Sequence, residues 1–307
     1  MTVTAEPFAH PAFLYRGAAE YLVGTLPFIT DGLDAGEPVA VVVPGPNLAL
    51  IEAALGDRAS SVEFVDMTER GRNPGRIIPA VFLAFADAHS GPVRLVGEPV
   101  WAGRSELEYP ACAQHEALIN VAFEGRDVAM LCPYDLDGLD SAVLADAFRT
   151  HPVMWNAAGS RPSRVYAPGD VVATYNQPLP QPQVARATFE FDLTSLSAAR
   201  HFIAEHGARC GLDPARVQDL TLAASELCAN SVLYGRGQGT LHVWDEAGYV
   251  VCEVGDRGRI TDPLAGRRPA AVGQVGGRGL LLVNQIADLV RTHHGIDGTT
   301  IRAYLRV

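Results

Sequence analysis

The 307-residue chain contains no lysine, so all 24 of its basic residues are arginine. A P-loop nucleotide site needs the lysine of GK[ST], an ordinary protein kinase needs its strand lysine, and Schiff-base chemistry needs an amine. The sequence therefore excludes these kinds of site.

Cysteines are few, and long apolar runs are missing. The five cysteines include no CxxC pair, which favours buried thiols in a reducing compartment over a disulfide framework. No stretch approaches the roughly 20 apolar residues that a membrane helix needs. The start, "MTVTAEPFAHP", also lacks the pattern of a signal peptide. We expect a cytoplasmic protein that does not contact membranes.

Positive charge is scarce in the first part of the chain. Residues 1–184 hold 11 arginines and 22 acidic residues, so they carry the whole net charge of −11. An acidic half of this kind has no basic face for a phosphate backbone. Direct nucleic-acid binding is therefore not expected.

Short β-branched runs alternate with helical segments in the first half. Their near-continuous hydrophobicity indicates a parallel sheet covered by helices on both faces, an α/β domain over 1–159. The predicted strands are 39–43, 62–65, 93–97 and 128–132, and the predicted helices are 47–55, 76–88, 111–123 and 141–149.

A proline-rich segment separates this domain from a second one with a different pattern. Residues 160–185 predict an extended linker, because prolines at that density forbid a continuous helix. Residues 186–307 predict a two-layer α/β sandwich with a mixed or antiparallel sheet. Its predicted strands are 188–193, 239–246, 249–256 and 299–307, and its predicted helices are 197–206, 214–235 and 280–289.

Three motifs in the second domain suggest nucleotide chemistry. Glu226 and Asn230 are four residues apart on a predicted helix, so their side chains share one face. A glutamate can accept a proton or orient a water, and an asparagine carbonyl suits Mg²⁺ beside phosphates. Asp256 ends a strand and can accept the exocyclic amine of adenine, while Gly258 lets the backbone approach a flat base.

The third motif is the glycine-rich loop of "GQVGGRGLLLVNQIADLV" (273–290), which runs directly into a helix. A helix N-terminus offers free amides to an anion. Taken singly, each motif is more often a solvated helix face, a tight turn or a flexible loop. The order of the three, closed by "GTT" at 298–300, predicts one nucleotide site.

This order resembles the GHKL ATPase superfamily over residues 186–307. Glu226 and Asn230 are similar to its N box and Asp256 and Gly258 to its G1 box. The resemblance implies the Bergerat fold with ATP and Mg²⁺ as cofactors. By position, Asn230 would hold Mg²⁺, Glu226 would be the catalytic base, and Asp256 would read the adenine with help from Thr300.

The turn formed by Gly277, Arg278, Gly279 and Leu280 is similar to the G2 box of the superfamily. By this resemblance, the turn would hold the phosphates. One position departs from the pattern, because the fuller G1 box has a second glycine where this chain has Ile260. The lid between residues 259 and 276 is also short. Loose nucleotide binding or quick exchange would follow from both features.

Within this superfamily the chain looks most like the anti-sigma-factor serine kinases. A sensor histidine kinase needs a dimerising helical hairpin before its ATPase domain, and here a proline linker stands there. The resemblance implies a homodimer that binds a sigma factor and phosphorylates a serine on an antagonist protein. A binding module without catalysis, and a histidine kinase, remain the alternatives.

The first domain resembles the MEDS sensory domain, a degenerate relative of RecA-like ATPases. The stretches that carry this resemblance are residues 10–46, "GEPVW" (97–101), "YPACAQHEALIN" (109–120) and "CPYD" (132–135). It implies a three-layer RecA-like fold that senses a small organic ligand. The candidate pocket residues are His10, Tyr15, Glu98, Trp101, His115 and Tyr134. No spacing supports a metal site among His10, Cys112 and His115.

Overall fold

The computed structural model describes residues 8–269 and 277–307, and it divides the chain into two compact units, Met1–Tyr175 and Asn176–Val307. The strands of the first unit are β1 (Phe8–Ala9), β2 (Pro11–Tyr15), β3 (Val39–Val43), β4 (Val62–Asp66), β5 (Val93–Gly97), β6 (Val128–Asp135), β7 (Val153–Asn156) and β8 (Gly159–Pro162). Its α-helices are α1 (Gly17–Asp34), α2 (Gly45–Leu55), α3 (Met67–Arg70), α4 (Pro74–Ile77), α5 (Leu83–Ala88), α6 (Tyr109–Ala122), α7 (Ser141–Thr150) and α8 (Pro168–Thr174).

The strands of the first unit form one sheet in the order β4-β3-β5-β6-β2-β7-β8, with β1 beside β6. Its pairs are parallel except β7–β8. Because side chains alternate along a strand, Leu131 packs in the cluster under α1 while Cys132 points to the other face. Glu116 of α6 and His151 after α7 lie on that second face beside Cys132. The predicted three-layer parallel fold is confirmed.

The first part of the expected linker has regular structure. Residues 159–162 form β8 against β7, and Pro168 opens α8 at a position where a missing N–H costs nothing. Val171 of α8 packs with Ala113 and Ala117 of α6 in a small apolar cluster. The expectation of an extended linker is therefore wrong for residues 168–174, which form α8, because Pro168 stands at the first helical position, where no backbone N–H is needed.

The second unit is a two-layer sandwich, as predicted. Its elements are β9 (Ala187–Asp192), α9 (Leu196–Arg209), α10 (Pro214–Tyr234), β10 (Gln238–Glu246), β11 (Tyr249–Asp256), α11 (Gly279–Ile286), β12 (Leu289–Gly295) and β13 (Gly298–Arg306). The sheet has the order β12-β13-β11-β10-β9 and is antiparallel throughout. Residues of all three helices share one apolar core with one face of the sheet.

Strand β12 was not predicted, because the apolar residues 280–290 read as a helix reaching residue 289. The helix ends at Ile286, and Ala287 is extended. Asp288 explains the change of direction: its carboxylate pairs with Arg216 and accepts the Arg306 N–H at 2.7 Å. These partners are distant in sequence, so local periodicity could not reveal them.

The described ranges contain no helix that combines the length and the hydrophobicity needed to span a bilayer.

Candidate functional sites

Helix α10 positions the two side chains from which the predicted nucleotide site starts. The Asp213 carboxylate caps the helix by accepting the N–H groups of Ala215 and Arg216, each at 2.9 Å. The apolar stripe that includes Leu220, Ala224 and Leu227 is buried in the core. Glu226 and Asn230 lie half-buried beside this stripe on α10. The packing of α10 thus fixes which way both polar side chains face.

Asp256 stands at the end of β11 and is held by hydrogen bonds to both carboxylate oxygens. The Ser231 hydroxyl donates to Oδ2 at 2.6 Å, and the Gly258 N–H donates to Oδ1 at 2.6 Å. Ser231 follows Asn230 on α10, so the strand end lies directly against the helix. Each oxygen keeps a further lone pair for an additional donor. The carboxylate is therefore preorganised and can still accept a hydrogen bond from a ligand.

Gly258 and Gly279 are glycines because the backbone comes very close to its neighbours there. A Cβ at Gly258 would lie 2.5 Å from the Tyr234 carbonyl oxygen. A Cβ at Gly279, the first residue of α11, would lie 2.7 Å from Glu226 Oε2 and 3.0 Å from Asn230 Nδ2. The start of α11 therefore lies against the two polar side chains of α10. Free amides, a carboxylate and an amide oxygen converge at this point.

The structure corrects the position of the threonine near Asp256. Ile301 of β13 packs in the core under the helices, so Thr299 shares that face and Thr300 points to the opposite face. Thr299 pairs with Asp256 across the strands, and its hydroxyl donates to the Gly258 carbonyl at 3.0 Å. Thr299, which sequence reasoning missed, therefore takes the place expected for Thr300. The side-chain alternation of the strand was the signal that could have found it.

The other predicted phosphate-site residues surround the start of α11. Gly277 has φ of 73° and is exposed, and Arg278 precedes the helix with an exposed side chain. Leu280 packs against the core, as does Ile260, the residue at the position of the second G1 glycine. Residues 270–276, which complete the predicted loop and lid, lie outside the described residues.

A cleft of about 1030 Å³ opens on the other face of the same sheet. Its lining includes Thr300, His242 and Glu253 and extends to Asp256 and Thr299 at the strand ends, while Glu226 and Asn230 do not line it. Volume alone would favour this cleft as the binding site. The convergence of a carboxylate, an amide and a helix N-terminus, which the sequence predicts as the nucleotide site, lies on the helix side instead.

In the first unit, Glu98 and Tyr15 meet at the carboxyl ends of the parallel strands. Glu98 follows β5, and its carboxylate accepts the Asn47 amide at 2.9 Å, Tyr21 at 3.3 Å and Tyr15 at 3.4 Å. Asn47 lies in the first turn of α2, which follows β3. Since the chain leaves β3 and β5 towards opposite sides of the sheet, this is the switch point where open α/β sheets bind ligands.

Burial dominates the electrostatics of this group. It raises the pKa of Glu98 to about 8, against the opposing effect of the Asn47, Tyr21 and Tyr15 donors. Burial also raises the pKa of Tyr15 and of Tyr21. Burial thus favours the neutral form of each of these three groups, which suits a neutral polar ligand.

His10 and Tyr134 belong to a different cluster, on the other face of the sheet. There they adjoin residues that sequence reasoning did not select: Glu116, Cys132 and His151. Burial lowers the pKa of His10 and of His151 to about 3 and raises the pKa of Glu116 to about 7.

The remaining two candidates for the sensory pocket each have a contact with another side chain. The His115 ring packs 6.0 Å from the ring of Phe82. Trp101 is half-buried and carries the Arg104 guanidinium 3.8 Å above its ring. The six predicted residues therefore do not line one pocket. The sequence did not reveal that these residues are separated. Only the folded sheet decides on which of its two faces a residue at a strand end or a helix start lies.

Comparison with protein families gives a match for each unit. Residues 9–152 match the family model described as the MEthanogen/methylotroph, DcmR Sensory domain (MEDS). Residues 189–305 match the model of the histidine kinase-like ATPase domain. No curated protein matches the chain significantly.

Two solved structures are similar in part. One contains the RsbU and RsbW domains of Rv1364c from Mycobacterium tuberculosis, with 21% identity, a TM-score of 0.31, and coverage of 40% of this chain and 32% of that chain. The other is the histidine kinase AdeS of Acinetobacter baumannii, with 10% identity, a TM-score of 0.24, and coverage of 66% and 96%. This chain thus spans about a third of the first structure. Likenesses at this level do not assign an activity.

Proposed function

The chain joins a MEDS domain to a histidine kinase-like ATPase domain, and we propose that it is a signal-responsive regulator with a serine kinase activity. Its ATPase domain binds Mg-ATP and transfers the γ-phosphoryl group to a serine of a partner protein. From the resemblance of its motifs, its partners are a sigma factor and an antagonist protein that opposes sigma-factor binding. The active form is a homodimer.

The observation that carries this proposal is the approach of α11 to α10. Because Gly279 lies against Glu226 and Asn230, a phosphate bound at the start of α11 is within reach of both side chains. Asn230 supplies a hard oxygen for Mg²⁺, and Glu226 polarises the attacking hydroxyl. Phosphoryl transfer of this kind depends mainly on positioning and charge neutralisation, which such a convergence provides.

Asp256 supports ATP as the nucleotide. Its carboxylate is oriented by Ser231 and Gly258 and retains lone pairs for the exocyclic amine of adenine. Guanine presents a carbonyl at the corresponding position, so the same carboxylate disfavours it. The Thr299 hydroxyl holds the Gly258 carbonyl and completes the wall of the base site.

A serine acceptor fits the chain better than a histidine. In the part of the chain that the structure describes, no helix lies between α8 and β9, where a histidine kinase needs its dimerising hairpin. His201 and His206 both lie on α9 within the ATPase domain, and each ring is bonded to a carbonyl one turn earlier. The label is therefore expected on a partner protein.

The MEDS domain is the sensory part of the proposal. The Glu98 group, with Asn47, Tyr15 and Tyr21, offers buried hydrogen-bonding groups at the switch point of its sheet. A small polar organic ligand that replaces some of these hydrogen bonds would change the conformation of the domain. The signal then acts on kinase activity or on partner binding.

The test uses the untagged full-length chain with Mg²⁺, γ-labelled ATP and candidate antagonist proteins. We expect acid-stable label on a serine of the antagonist. Glu226→Gln should slow transfer roughly 100- to 10,000-fold, the usual contribution of a general base, while calorimetry shows unchanged ATP affinity. Glu205→Gln, an exposed glutamate on α9, is the matched control and should transfer normally.

Each other outcome selects a different function. ATP binding without transfer to any partner would identify a binding module that uses ATP as a structural cofactor, which the Ile260 position favours. Acid-labile self-labelling would identify a histidine kinase. Absence of ATP binding would contradict the proposed nucleotide site itself.

A further inference from the structure

Four side chains that differ in chemistry meet in the interior of the MEDS domain. They are His10 before β2, Glu116 on α6, Cys132 on β6 and His151 after α7, and one ligand atom of each lies within 4.8 Å of the others. All four residues are at most 1% exposed. The four residues come from separate segments of the chain, so no residue spacing in the sequence indicates the cluster.

Three of the six distances within the cluster are close to the edges of a small coordination tetrahedron, and the others are at most 4.8 Å. Cys132 Sγ lies 3.3 Å from His10 Nε2, His151 Nε2 lies 3.2 Å from Glu116 Oε2, and His10 Nε2 lies 3.7 Å from the same oxygen. Zinc bonds of roughly 2.0–2.3 Å give tetrahedral edges of roughly 3.3–3.8 Å. An ion therefore fits between these atoms with small movements.

Hydrogen bonds fix both imidazoles so that Nε2 faces the cluster. His151 Nδ1 lies 3.0 Å from the Ala147 carbonyl, which can only accept, so this nitrogen carries the proton. His10 Nδ1 lies 3.1 Å from Asn120 Oδ1. The Asn120 amide is itself oriented, since its Nδ2 donates to the Thr150 carbonyl at 2.8 Å. Metal-binding histidines are held in this way, with the outer nitrogen bonded and the inner lone pair free.

The acid in the cluster is incompletely partnered: the Tyr134 hydroxyl interacts with it, and His151 Nε2 lies 3.2 Å from Oε2. Among the described residues, neither oxygen of the Glu116 carboxylate has a hydrogen bond of good geometry, and neither has His151 Nε2. A buried polar atom without a partner is costly. A divalent cation satisfies these atoms, and with one thiolate and one carboxylate it leaves no net charge in the interior.

We propose that His10, Glu116, Cys132 and His151 form a binding site for one divalent transition-metal ion, with zinc as the ion that best fits a thiolate, two imidazoles and a carboxylate. Four protein ligands in a fully buried position close the coordination shell, as in structural sites. The ion ties the sheet to α6 and α7 on one face of the domain. The site is separate from the proposed nucleotide chemistry and does not depend on it.

The first test needs no variant. The untagged full-length chain, purified from zinc-supplemented cells, should contain one equivalent of zinc by mass spectrometry of the metal. The same chain refolded with Co²⁺ should show a thiolate-to-cobalt charge-transfer band and the strong visible bands of a tetrahedral ion. Wild-type protein without stoichiometric zinc and without the thiolate band would overturn the proposal.

Variants then identify the ligands. Cys132→Ser should lose the charge-transfer band. Cys112→Ser, an equally buried cysteine on the same helix as Glu116, should keep it. The opposite result in either variant would overturn the assignment of the thiolate ligand. Glu116→Gln should retain the band but bind the ion more weakly, and an unchanged affinity would remove the carboxylate from the ligand set.

Asn120 gives a test of the hydrogen bond to His10. As a positioning residue that does not touch the ion, it can be changed to alanine without removing a ligand. We expect roughly 10- to 100-fold weaker metal binding in Asn120→Ala with an unchanged cobalt spectrum, the usual effect of losing such an outer partner. An unchanged affinity would overturn this role of Asn120.

Discussion

At the scale of single residues, Asp256 is positioned by a serine hydroxyl and a backbone amide. Sequence reasoning predicted a site at Asp256, Gly258, Glu226 and Asn230, because strand ends and helix faces follow from local periodicity. It selected Thr300 of the "GTT" stretch, whereas Thr299 is the threonine that pairs with Asp256. Adjacent residues of a strand face opposite sides, so an error of one residue moves a side chain through the sheet.

Thr299 and Thr300 give a matched pair of variants. Thr299→Val removes the hydroxyl that bonds the Gly258 carbonyl, and we expect roughly 2- to 10-fold weaker ATP binding, the value of one neutral hydrogen bond. Thr300→Val, on the opposite face of the sheet, should bind ATP as wild type does. Isothermal titration measures both, with thermal unfolding to verify that both variants are folded. The reverse pattern would contradict the assignment of Thr299.

At the scale of elements, the proposed nucleotide site depends on how closely α11 approaches α10. The sequence predicted both helices, and the capping of α10 by Asp213 agrees with the structure. It did not predict β1, β2, α1, α3, β7, β8, α8 or β12. Some of these elements depend on distant partners, such as the pairing of Asp288 with Arg216 beside β12, and such contacts do not show in a local pattern.

Gly279→Ala tests the approach of the two helices. The added Cβ would meet Glu226 Oε2 at 2.7 Å and Asn230 Nδ2 at 3.0 Å, so both functional side chains must move. Because these are flexible side-chain ends, we expect little loss of stability. Phosphoryl transfer should fall about 100-fold, as misplaced catalytic groups cause.

Gly169→Ala is the control for this variant, since a Cβ at Gly169 of α8 would meet nothing within 4 Å. Assays of labelled-phosphate transfer and of thermal stability should find it unchanged. Normal transfer in Gly279→Ala would mean that Glu226 and Asn230 do not act at the start of α11.

At the scale of the whole molecule, the chain contains separate apolar cores. The core of the second unit is built from residues between 187 and 305, and the described core clusters of the first unit come from residues before 176. Each unit is therefore expected to unfold in its own transition. A buried titratable group should affect only the transition of the unit that contains it.

Glu98 provides that test. Its pKa is raised to about 8 in the folded domain, whereas an exposed glutamate has a value near 4.5. Unfolding therefore releases a proton between these values, so the stabilisation is complete below pH 4.5 and is lost as pH rises towards 8. The slope is about 1.4 kcal/mol per pH unit within this window.

Glu98→Gln should remove this contribution, so the difference in unfolding temperature between wild type and variant should change across pH 4.5–8. Only the transition of the first unit should respond in scanning calorimetry. Glu52→Gln, at an exposed position on α2, is the control. Equal pH dependence in wild type and Glu98→Gln would show that Glu98 is already ionised in the folded protein.

The sequence by itself determined the two α/β units, the absence of lysine-based chemistry, and the order of motifs along α10, β11 and α11. These properties depend on composition and on local periodicity. Only the tertiary structure decided that Thr299 adjoins Asp256 and that Glu98 meets Asn47. It likewise brought His10, Glu116, Cys132 and His151 together. Such contacts join segments far apart in the chain, and the packing of helices on the faces of each sheet creates them.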